Sequence, residues 1–305
     1  MEHKTYLLKN PLFLVSPNSG KLTKKEKLSH VESCFSKLNS KIVIPKSPNE
    51  TERISREAFQ KNRLVVACGG DGFVNLVANQ AIKEKGTMSV LPLGRGNDFA
   101  KSIGILRSDD LRRAFENPRF IRSDYLDLSF KDKQRVCLTS AGIGLLSEAA
   151  FRASKMPFLQ GSLLYALSAL ACFVNLKTHM YDIDFGNKIG IKERLVILVA
   201  ACRPYAGGGM HIAPEAGKYK NKMNLLYASK VSRLEAIGLL EKVLGGRHLN
   251  HPKVKNAHYS NCKISTTDKN FWAPLVYGDG EHLGNLPVKI SVGKSDLTLL
   301  VPNLP

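Results

Sequence analysis

The stretch Val65-Val66-Ala67-Cys68-Gly69-Gly70-Asp71-Gly72-Phe73-Val74-Asn75 decides the fold of this chain. An apolar run leads into a glycine-rich turn and then an amphipathic segment, which predicts a strand, a tight turn and a helix. Glycines let a backbone approach a phosphate closely, and the N–H groups at a helix start favour negative charge. The turn alone could equally be a structural connection. Asp71 favours the phosphate interpretation, because a carboxylate in such a loop is awkward unless it handles magnesium or orients a reacting group.

A second glycine-rich turn has the same surroundings. Leu91-Pro92-Leu93-Gly94-Arg95-Gly96-Asn97-Asp98-Phe99-Ala100 follows a predicted strand and precedes a predicted helix. Turns that follow neighbouring parallel strands lie at the same carboxyl edge of a sheet, where open α/β folds bind ligands. We therefore expect both turns to share one site. Asn97 or Asp98 could instead be only the N-cap of the next helix.

The segments around these turns predict two domains. Strand-length apolar runs alternate with helix-length amphipathic stretches, which indicates a parallel sheet covered on both faces. In chain order these segments are 12–15, 24–38, 42–44, 51–60, 64–67, 72–83 and 89–93. Beyond about residue 126, segments of alternating polarity favour an antiparallel sandwich or barrel. These are 127–130, 135–140, 194–202, 223–229, 256–265, 288–292 and 297–301. The boundaries predict an α/β domain over 1–126 and a β-rich domain from 127.

Charge limits the classes of partner. The chain carries 45 Lys and Arg against 26 Asp and Glu, a formal net charge of +19 over 305 residues. Such a field attracts polyanions or an anionic membrane surface. A zinc finger and an aromatic RNP motif are both missing from the sequence, so a specific nucleic-acid partner is not expected. A solvated basic surface without a fixed partner is the alternative.

The sequence predicts no membrane-spanning segment. The most apolar stretch, 159–176, contains Gln160, Ser162, Ser168 and Asn175, which favours a buried or amphipathic helix over an inserted one. The first nine residues are charged and do not resemble a secretion signal. A cytoplasmic location is expected.

A third motif lies late in the chain. Val276-Tyr277-Gly278-Asp279-Gly280-Glu281 places a glycine between two carboxylates. A carboxylate beside an ATP site can take the proton from an attacking hydroxyl. The same residues are also common in a simple hairpin turn, so the motif has two interpretations.

Together and in this order, the motifs resemble the diacylglycerol kinase catalytic domain family, which includes the sphingosine and ceramide kinases. The resemblance covers nearly the whole chain. The matching segments are Ser16 to Gly20, Gly69 to Asn75, Leu91 to Ala100, Asp127-Leu128, Thr139 to Gly144, Ala206 to Met210, Ala213 to Ala216, Gly278 to Glu281 and Pro287 to Pro302.

The resemblance implies a nucleotide-binding α/β domain of the NAD kinase and diacylglycerol kinase type, joined to a C-terminal β-sandwich domain over 127–287. Terminal strands near 288–305 would return to the first domain, and the active site would lie in the cleft between the domains. The implied cofactors are ATP and Mg²⁺. The implied partners are a lipid substrate and an anionic membrane with which the protein associates peripherally, and a homodimer is left open.

Site residues also follow from the resemblance. The implied base is Glu281 or Asp279, with Asp71 as a further catalytic residue. The implied nucleotide-binding residues are Gly69, Gly70, Asp71, Gly72, Phe73, Val74, Asn75, Arg95 and Asn97. Asp98, Asp124 and Asp127 would join a water-mediated network around the magnesium ion.

The chain departs from the family pattern at positions near the nucleotide and metal. Phe73 and Arg95 replace threonines of the two glycine turns, and Pro45 stands where a threonine is frequent. Lys220 and Asn221 occupy the place of an Asp-Gly that ligates a structural magnesium, so that ion is not expected here. These departures keep a catalytically weak or inactive nucleotide- or lipid-binding protein as an alternative to an active lipid kinase. The loop Gly69-Gly70-Asp71-Gly72, which NAD kinases share, keeps an NAD kinase as a second alternative.

Overall fold

The computed structural model describes residues 7–156, 161–186, 189–293 and 296–303. The chain divides into two compact units, Met1–Ser123 with Ser295–Pro305, and Asp124–Lys294. The beginning of the predicted helix at 159–176 and the last two residues lie outside the described residues.

The first unit is built on a six-stranded sheet in the order β2-β1-β3-β4-β17-β5. Its strands are β1 (Leu12–Val15), β2 (Lys41–Val43), β3 (Val65–Gly69), β4 (Thr87–Pro92), β5 (Pro118–Ser123) and β17 (Leu297–Pro302). The first four pair in parallel, β17 joins β4 in parallel, and β5 is antiparallel to β17. Strands β1 and β3 are buried along their whole length, which explains their continuous apolar runs.

Helices connect the parallel strands of this sheet. They are α1 (Lys24–Phe35), α2 (Pro48–Gln60), α3 (Asp71–Lys83), α4 (Asp98–Ser102) and α5 (Ser108–Glu116). Thr23 and Ser47 accept N-cap hydrogen bonds from the amides of Glu26 and Glu50, which fixes the starts of α1 and α2. Helix α3 follows β3 directly, with Gly70 as its N-cap. The glycine-rich turns therefore lie where parallel strands end.

The second unit is an antiparallel, sandwich-like arrangement. Its strands are β6 (Leu126–Ser129), β7 (Gln134–Cys137), β8 (Ser140–Gly144), β9 (His179–Asp184), β10 (Gly190–Ala201), β11 (Met223–Ser229), β12 (Val254–Tyr259), β13 (Asn261–Thr266), β14 (Leu275–Gly278), β15 (Glu281–Asn285) and β16 (Val288–Val292). The first half of β10 pairs with β9, and its second half pairs with β8 and β11. One long strand thus joins two strand groups around a shared core.

Among the residues of this unit that the structure describes, three α-helices cover the β-structure: α6 (Leu145–Ser154), α7 (Gly161–Phe173) and α8 (Arg233–Leu244). Ala149, Phe173 and Ala236 pack with Val196 and Ala228 of β10 and β11 in a second apolar cluster. No helix among the described residues is long and apolar enough to cross a membrane. The predicted combination of an α/β domain and a β-sandwich domain is confirmed.

Two details of the prediction need correction. The expected strand at 256–265 is two strands, β12 and β13, separated at Ser260. Of the terminal strands, β17 joins the first sheet, but β16 pairs with β13 and β6 in the second. The physical reason is that Val288 and Ile290 of β16 are buried in the main hydrophobic core of the second unit. The chain passes from the first unit to the second between residues 123 and 124.

Candidate active site

Three loops of the first unit lie together at the carboxyl ends of β1, β3 and β4. Gly70 N–H donates a 3.1 Å hydrogen bond to Ser19 Oγ, which links the loop after β3 to the loop after β1. Leu93 N–H donates to Gly69 O at 3.1 Å and links the loop after β4 to the loop after β3. The two glycine-rich turns are therefore neighbours, as the parallel-strand argument predicted.

Glycine is required where these loops approach one another. A Cβ on Gly94 would overlap with Gly70 Cα and lie 2.8 Å from Asn97 Oδ1. Gly20 has a φ of +68°, and a Cβ there would overlap with the carbonyl oxygen of Leu93. Side chains at these positions would push the loops apart, so the close backbone arrangement depends on glycine.

A buried lysine holds the loop that follows β1. Lys27 Nζ donates hydrogen bonds to the carbonyl oxygens of Ser16 at 3.0 Å and Pro17 at 3.2 Å. Burial, followed by the charge of Lys24, lowers the pKa of Lys27. Lys27 therefore fixes the direction of two loop carbonyls. The sequence carries a signal for this role, because Lys27 shares the buried face of α1 with Val31 and Phe35.

Asp71 connects the two glycine turns. It occupies the first turn of α3, and its Oδ1 accepts a 3.2 Å hydrogen bond from Phe99 N–H at the start of α4. Gly70 has no side chain with which to cap α3. A helix start of this kind suits an anion, since first-turn N–H groups point out of the helix.

The other predicted nucleotide residues separate into different environments. The Phe73 ring packs against Gly69, because a Cβ on Gly69 would lie only 2.9 Å from a carbon of that ring. Val74 is buried and its N–H donates to Gly70 O, and its predicted nucleotide contact stays a prediction. Asn75 Oδ1 accepts from Asn79 Nδ2 at 2.7 Å.

Arg95 and Asn97 lie on the loop after β4. Asn97 adopts a left-handed φ of 56°, and its side-chain amide both accepts from Gly94 N–H at 2.9 Å and donates to Gly94 O at 3.1 Å. Asn97 occupies the N-cap position of α4, but its side chain makes no capping hydrogen bond to that helix and closes the loop instead. The Arg95 side chain is exposed, which leaves its guanidinium accessible to a phosphate.

In the second unit, Asp279 anchors a hairpin and is poorly suited to be a base. Its carboxylate is buried and accepts from Leu138 N–H at 2.6 Å, Thr139 N–H at 3.1 Å and Thr139 Oγ1 at 2.6 Å. A buried carboxylate held by these three donors has little freedom to reach a substrate. The structure therefore argues against the predicted alternative of Asp279 as the base.

Glu281 is the better candidate of the pair. It begins β15 and its side chain keeps access to solvent. The surrounding protein atoms, and then the charge of Asp279, raise the pKa of Glu281, while Arg135 opposes the increase. A carboxyl whose pKa is raised holds a proton more readily, as a general base requires.

The predicted metal residues do not form a ligand cage by themselves. Among the described residues, no three His, Cys, Asp or Glu side chains come together as a metal-binding group. Asp98 is buried at the start of α4, burial raises the pKa of Asp127, and Asp124 Oδ2 accepts from Asn221 N–H at 3.2 Å. A water-mediated magnesium network through these carboxylates remains a prediction. Lys220 is exposed beside Asn221.

An apolar cavity of about 110 Å³ lies within the second unit. Strands β10 and β11 form one side, and α6, α7 and α8 contribute side chains such as Ala169, Phe173, Ala236 and Leu240. His248 also lines it. Burial lowers the pKa of His248, and its Nε2–H donates to Ile212 O at 2.9 Å. The cavity suits a hydrocarbon chain.

Comparison with known proteins identifies the family. The diacylglycerol kinase catalytic domain matches residues 10–123, and the YegS C-terminal NAD kinase beta sandwich-like domain matches residues 139–301. The chain belongs to the diacylglycerol kinase catalytic domain family. The chain is 26% identical over 286 residues to the diacylglycerol kinase of Bacillus subtilis (strain 168). The aligned region covers 92% of each protein. A diacylglycerol kinase of Staphylococcus saprophyticus is 24% identical, over 97% of this chain and 96% of that protein.

Solved structures show the same fold. A diacylglycerol kinase from Bacillus anthracis str. Sterne matches with a TM-score of 0.77 and 16% identity, over 97% of this chain and 98% of that one. An NAD kinase from Archaeoglobus fulgidus in complex with ATP matches with a TM-score of 0.50 and 12% identity, over 96% and 94%. Membership of the diacylglycerol kinase family implies that this chain is a kinase.

The motif matches did not reveal the residues that hold the motifs in place. Ser19 and Lys27 shape the first loop, and Leu138 and Thr139 bind Asp279. The last contact joins residues 140 positions apart in the chain. The burial of Lys27 could have been predicted from the periodicity of α1, which places Lys27 on the same side as Val31 and Phe35. The sequence gives no signal for the contact between Thr139 and Asp279.

Proposed function

We propose that this protein is an ATP-dependent lipid kinase that transfers the γ-phosphate of ATP to a hydroxyl of a lipid such as diacylglycerol or a sphingoid lipid. The observation that carries the lipid part of this proposal is the apolar cavity of the second unit. A pocket lined by aliphatic and aromatic side chains stabilises a hydrocarbon chain by removing apolar surface from water. NAD offers no long hydrocarbon chain for such a cavity, so the cavity favours the lipid kinase over the NAD kinase alternative.

The loops of the first unit are proposed to hold ATP. Gly70 and Gly94 allow close backbone approach, and the uncapped start of α3 suits a phosphate group. Arg95 is placed on an exposed loop from which it can pair with a phosphate, in place of the threonine hydroxyl that the family pattern has there. Mg²⁺ would neutralise charge on the phosphates and can be held by one or two carboxylates together with phosphate and water. Asp71 and Asp98 are the carboxylates of this unit that we assign to it.

Glu281 is proposed to be the general base. The lipid hydroxyl gives its proton to the Glu281 carboxylate as its oxygen forms a bond to the γ-phosphorus. The bond between that phosphorus and the bridging oxygen breaks, and ADP leaves with the electron pair. Asp279 holds the hairpin that carries Glu281 and raises the pKa of that base through its charge. Asp279 is therefore a positioning residue.

The substrate class and the charge together suggest a peripheral membrane protein on the cytoplasmic side. The formal net charge of +19 favours the anionic surface from which lipid would be drawn. Heparin or DNA could compete for the same charges and serve as a control for unspecific polyanion binding.

The test is incubation with radiolabelled ATP, magnesium and separate acceptors: diacylglycerol, sphingosine, ceramide and NAD. We expect label in a lipid and none in NADP. Asp71→Ala should abolish transfer without loss of folding, because its carboxylate serves metal and loop positioning. Label in NADP alone would establish the NAD kinase, and ATP binding without any labelled product would establish the inactive binding protein.

The cavity has its own test. Ala236→Phe narrows it, because Ala236 is buried in its wall. Turnover of long-chain acceptors should fall more than turnover of short-chain acceptors, with the ATP dissociation constant unchanged. Equal loss for both chain lengths would argue against the cavity as the lipid site. A urea unfolding curve checks that the larger ring has not simply disrupted the core.

A further inference from the structure

Helices α7 and α8 both carry large apolar residues on two sides. Their inner sides line the cavity through Ala169, Phe173, Ala236 and Leu240. Their outer sides expose further large apolar residues, which we call the outer apolar face. It consists of Leu163, Leu167, Leu170, Leu234, Ile237 and Leu244. The two helices pack against each other. Soluble proteins rarely expose apolar residues in such groups unless a partner covers them.

The α7 part of the outer apolar face is an ordered stripe. Leu163, Leu167 and Leu170 recur at four and three residues, which places them on one side of α7. The opposite side carries buried Leu164, Ser168 and Cys172. A helix that is apolar all round and yet half exposed matches an interface with lipid better than one with water.

Charges beside the outer apolar face indicate an anionic partner. Helix α7 carries no charged side chain, and Lys155 and Lys177 flank it with exposed ammonium groups. On α8, the carboxylates of Glu235 and Glu241 are paired with Lys253 and Arg247, both at 2.9 Å. The nearby cations Lys230, Arg233 and Lys242 are exposed. The face is therefore apolar in the middle and positive at its edges, as interfacial helices on anionic bilayers are.

We infer that the outer apolar face docks on a bilayer that contains anionic phospholipid, with the leucines inserted between the headgroups. This inference rests on the proposed lipid kinase function only in explaining why a membrane is visited. The helices that rest on the lipid are the same ones that line the cavity, so a lipid chain would leave the bilayer beside its binding pocket. The docking surface lies wholly in the second unit.

The main test is flotation with phosphatidylcholine vesicles, with and without phosphatidylglycerol. Leu163→Gln, Leu167→Gln and Leu170→Gln combined should weaken binding by about 10- to 100-fold, since each leucine loses its apolar burial. The matched control combines Leu22→Gln, Leu106→Gln and Ile189→Gln, which lie elsewhere. Their exposures of 43%, 58% and 60% compare with 58%, 39% and 38% on α7. The control should bind as the wild type does, and equal weakening in both sets would overturn the inference.

A second pair of variants tests the charged edge. Lys230→Gln, Arg233→Gln and Lys242→Gln should reduce the preference for anionic vesicles and its decrease with salt. Lys131→Gln, Lys263→Gln and Lys289→Gln remove the same charge from other exposed positions of the same unit. If both sets reduce vesicle binding equally, the whole basic surface contributes to binding, and the assignment of docking to the outer apolar face is wrong.

Two further measurements keep the test decisive. Leu167→Trp should shift its emission to the blue on vesicles, while Leu106→Trp should not, so insertion is seen without a disruptive variant. Light scattering of the wild type and of the leucine variant reports whether a second copy covers the face. A dimer that dissociates in the variant, with vesicle binding unchanged, would overturn the inference. None of these readouts needs phosphoryl transfer, so a failure of docking and a failure of the proposed kinase activity are seen separately.

Discussion

Two Gly-Asp-Gly sequences occupy different environments in the two units. Gly70-Asp71-Gly72 begins a helix after a parallel strand, and the half-buried Asp71 carboxylate accepts a 3.2 Å hydrogen bond from Phe99 N–H. Gly278-Asp279-Gly280 closes the hairpin between β14 and β15, where Asp279 is buried with a φ of 49°. The Asp279 carboxylate accepts from one hydroxyl and two amides within its own unit. The comparison teaches that the same tripeptide can link two glycine-rich loops or anchor a hairpin turn.

The largest expected effect separates Asp279 from its neighbour Glu281. Glu281→Gln should lower kcat by about 10²- to 10⁴-fold with little change in the ATP dissociation constant, because it removes the proton acceptor and keeps the shape. Single-turnover transfer from radiolabelled ATP measures this. Normal turnover in Glu281→Gln would show that the hairpin carries no base.

The next effect compares the two aspartates by stability. Asp279→Asn should lower the free energy of unfolding by about 2–3 kcal/mol, because the amide nitrogen that replaces one carboxylate oxygen would face the N–H donor of either Leu138 or Thr139. The matched control, Asp71→Asn, should change stability by about 1 kcal/mol or less while it impairs transfer. Urea unfolding followed by circular dichroism gives both values. Equal destabilisation would remove the distinction between a ligand loop and an anchor.

A smaller effect is expected from a variant that disturbs the close approach of the two glycine-rich loops. Gly94→Ala should destabilise the protein by about 1–2 kcal/mol and weaken ATP binding, because the new methyl group overlaps with Gly70 Cα. Gly238→Ala on α8 is the control, since no atom lies within 4 Å of its Cβ position. It should stabilise the helix by about 0.5–1 kcal/mol. If Gly94→Ala is as harmless as the control, the loops do not depend on this contact.

The smallest effect concerns pH. Because the pKa of Glu281 is raised above 4.5, a base at this position loses activity as pH falls through that higher value. Arg135→Gln removes the charge that opposes the increase, so the acidic limb of the kcat profile should move to higher pH, by less than about one unit. Lys131→Gln removes an exposed positive charge elsewhere on the same unit and should leave the limb in place. A shift to lower pH in Arg135→Gln would contradict the assignment of Glu281.

The sequence by itself determined the arrangement of chemistry along the chain. Continuous apolar runs at β1 and β3, followed by glycine turns, required buried parallel strands whose ends meet at one edge, and the ordered motifs indicated the family. These signals are local or depend on a regular period, so they can be read without the fold. The burial of Lys27 was also available from its position on the apolar face of α1.

Only the tertiary structure decided which chemically similar residues are able to act. Leu138 and Thr139 contact Asp279 across 141 and 140 positions of the chain, and these contacts make Asp279 an anchor and leave Glu281 as the candidate base. The same holds for the helices α7 and α8, whose opposite sides face a cavity and solvent. The physical reason is that hydrogen bonding and burial depend on distances in space, and residues far apart in sequence supply the atoms that set them.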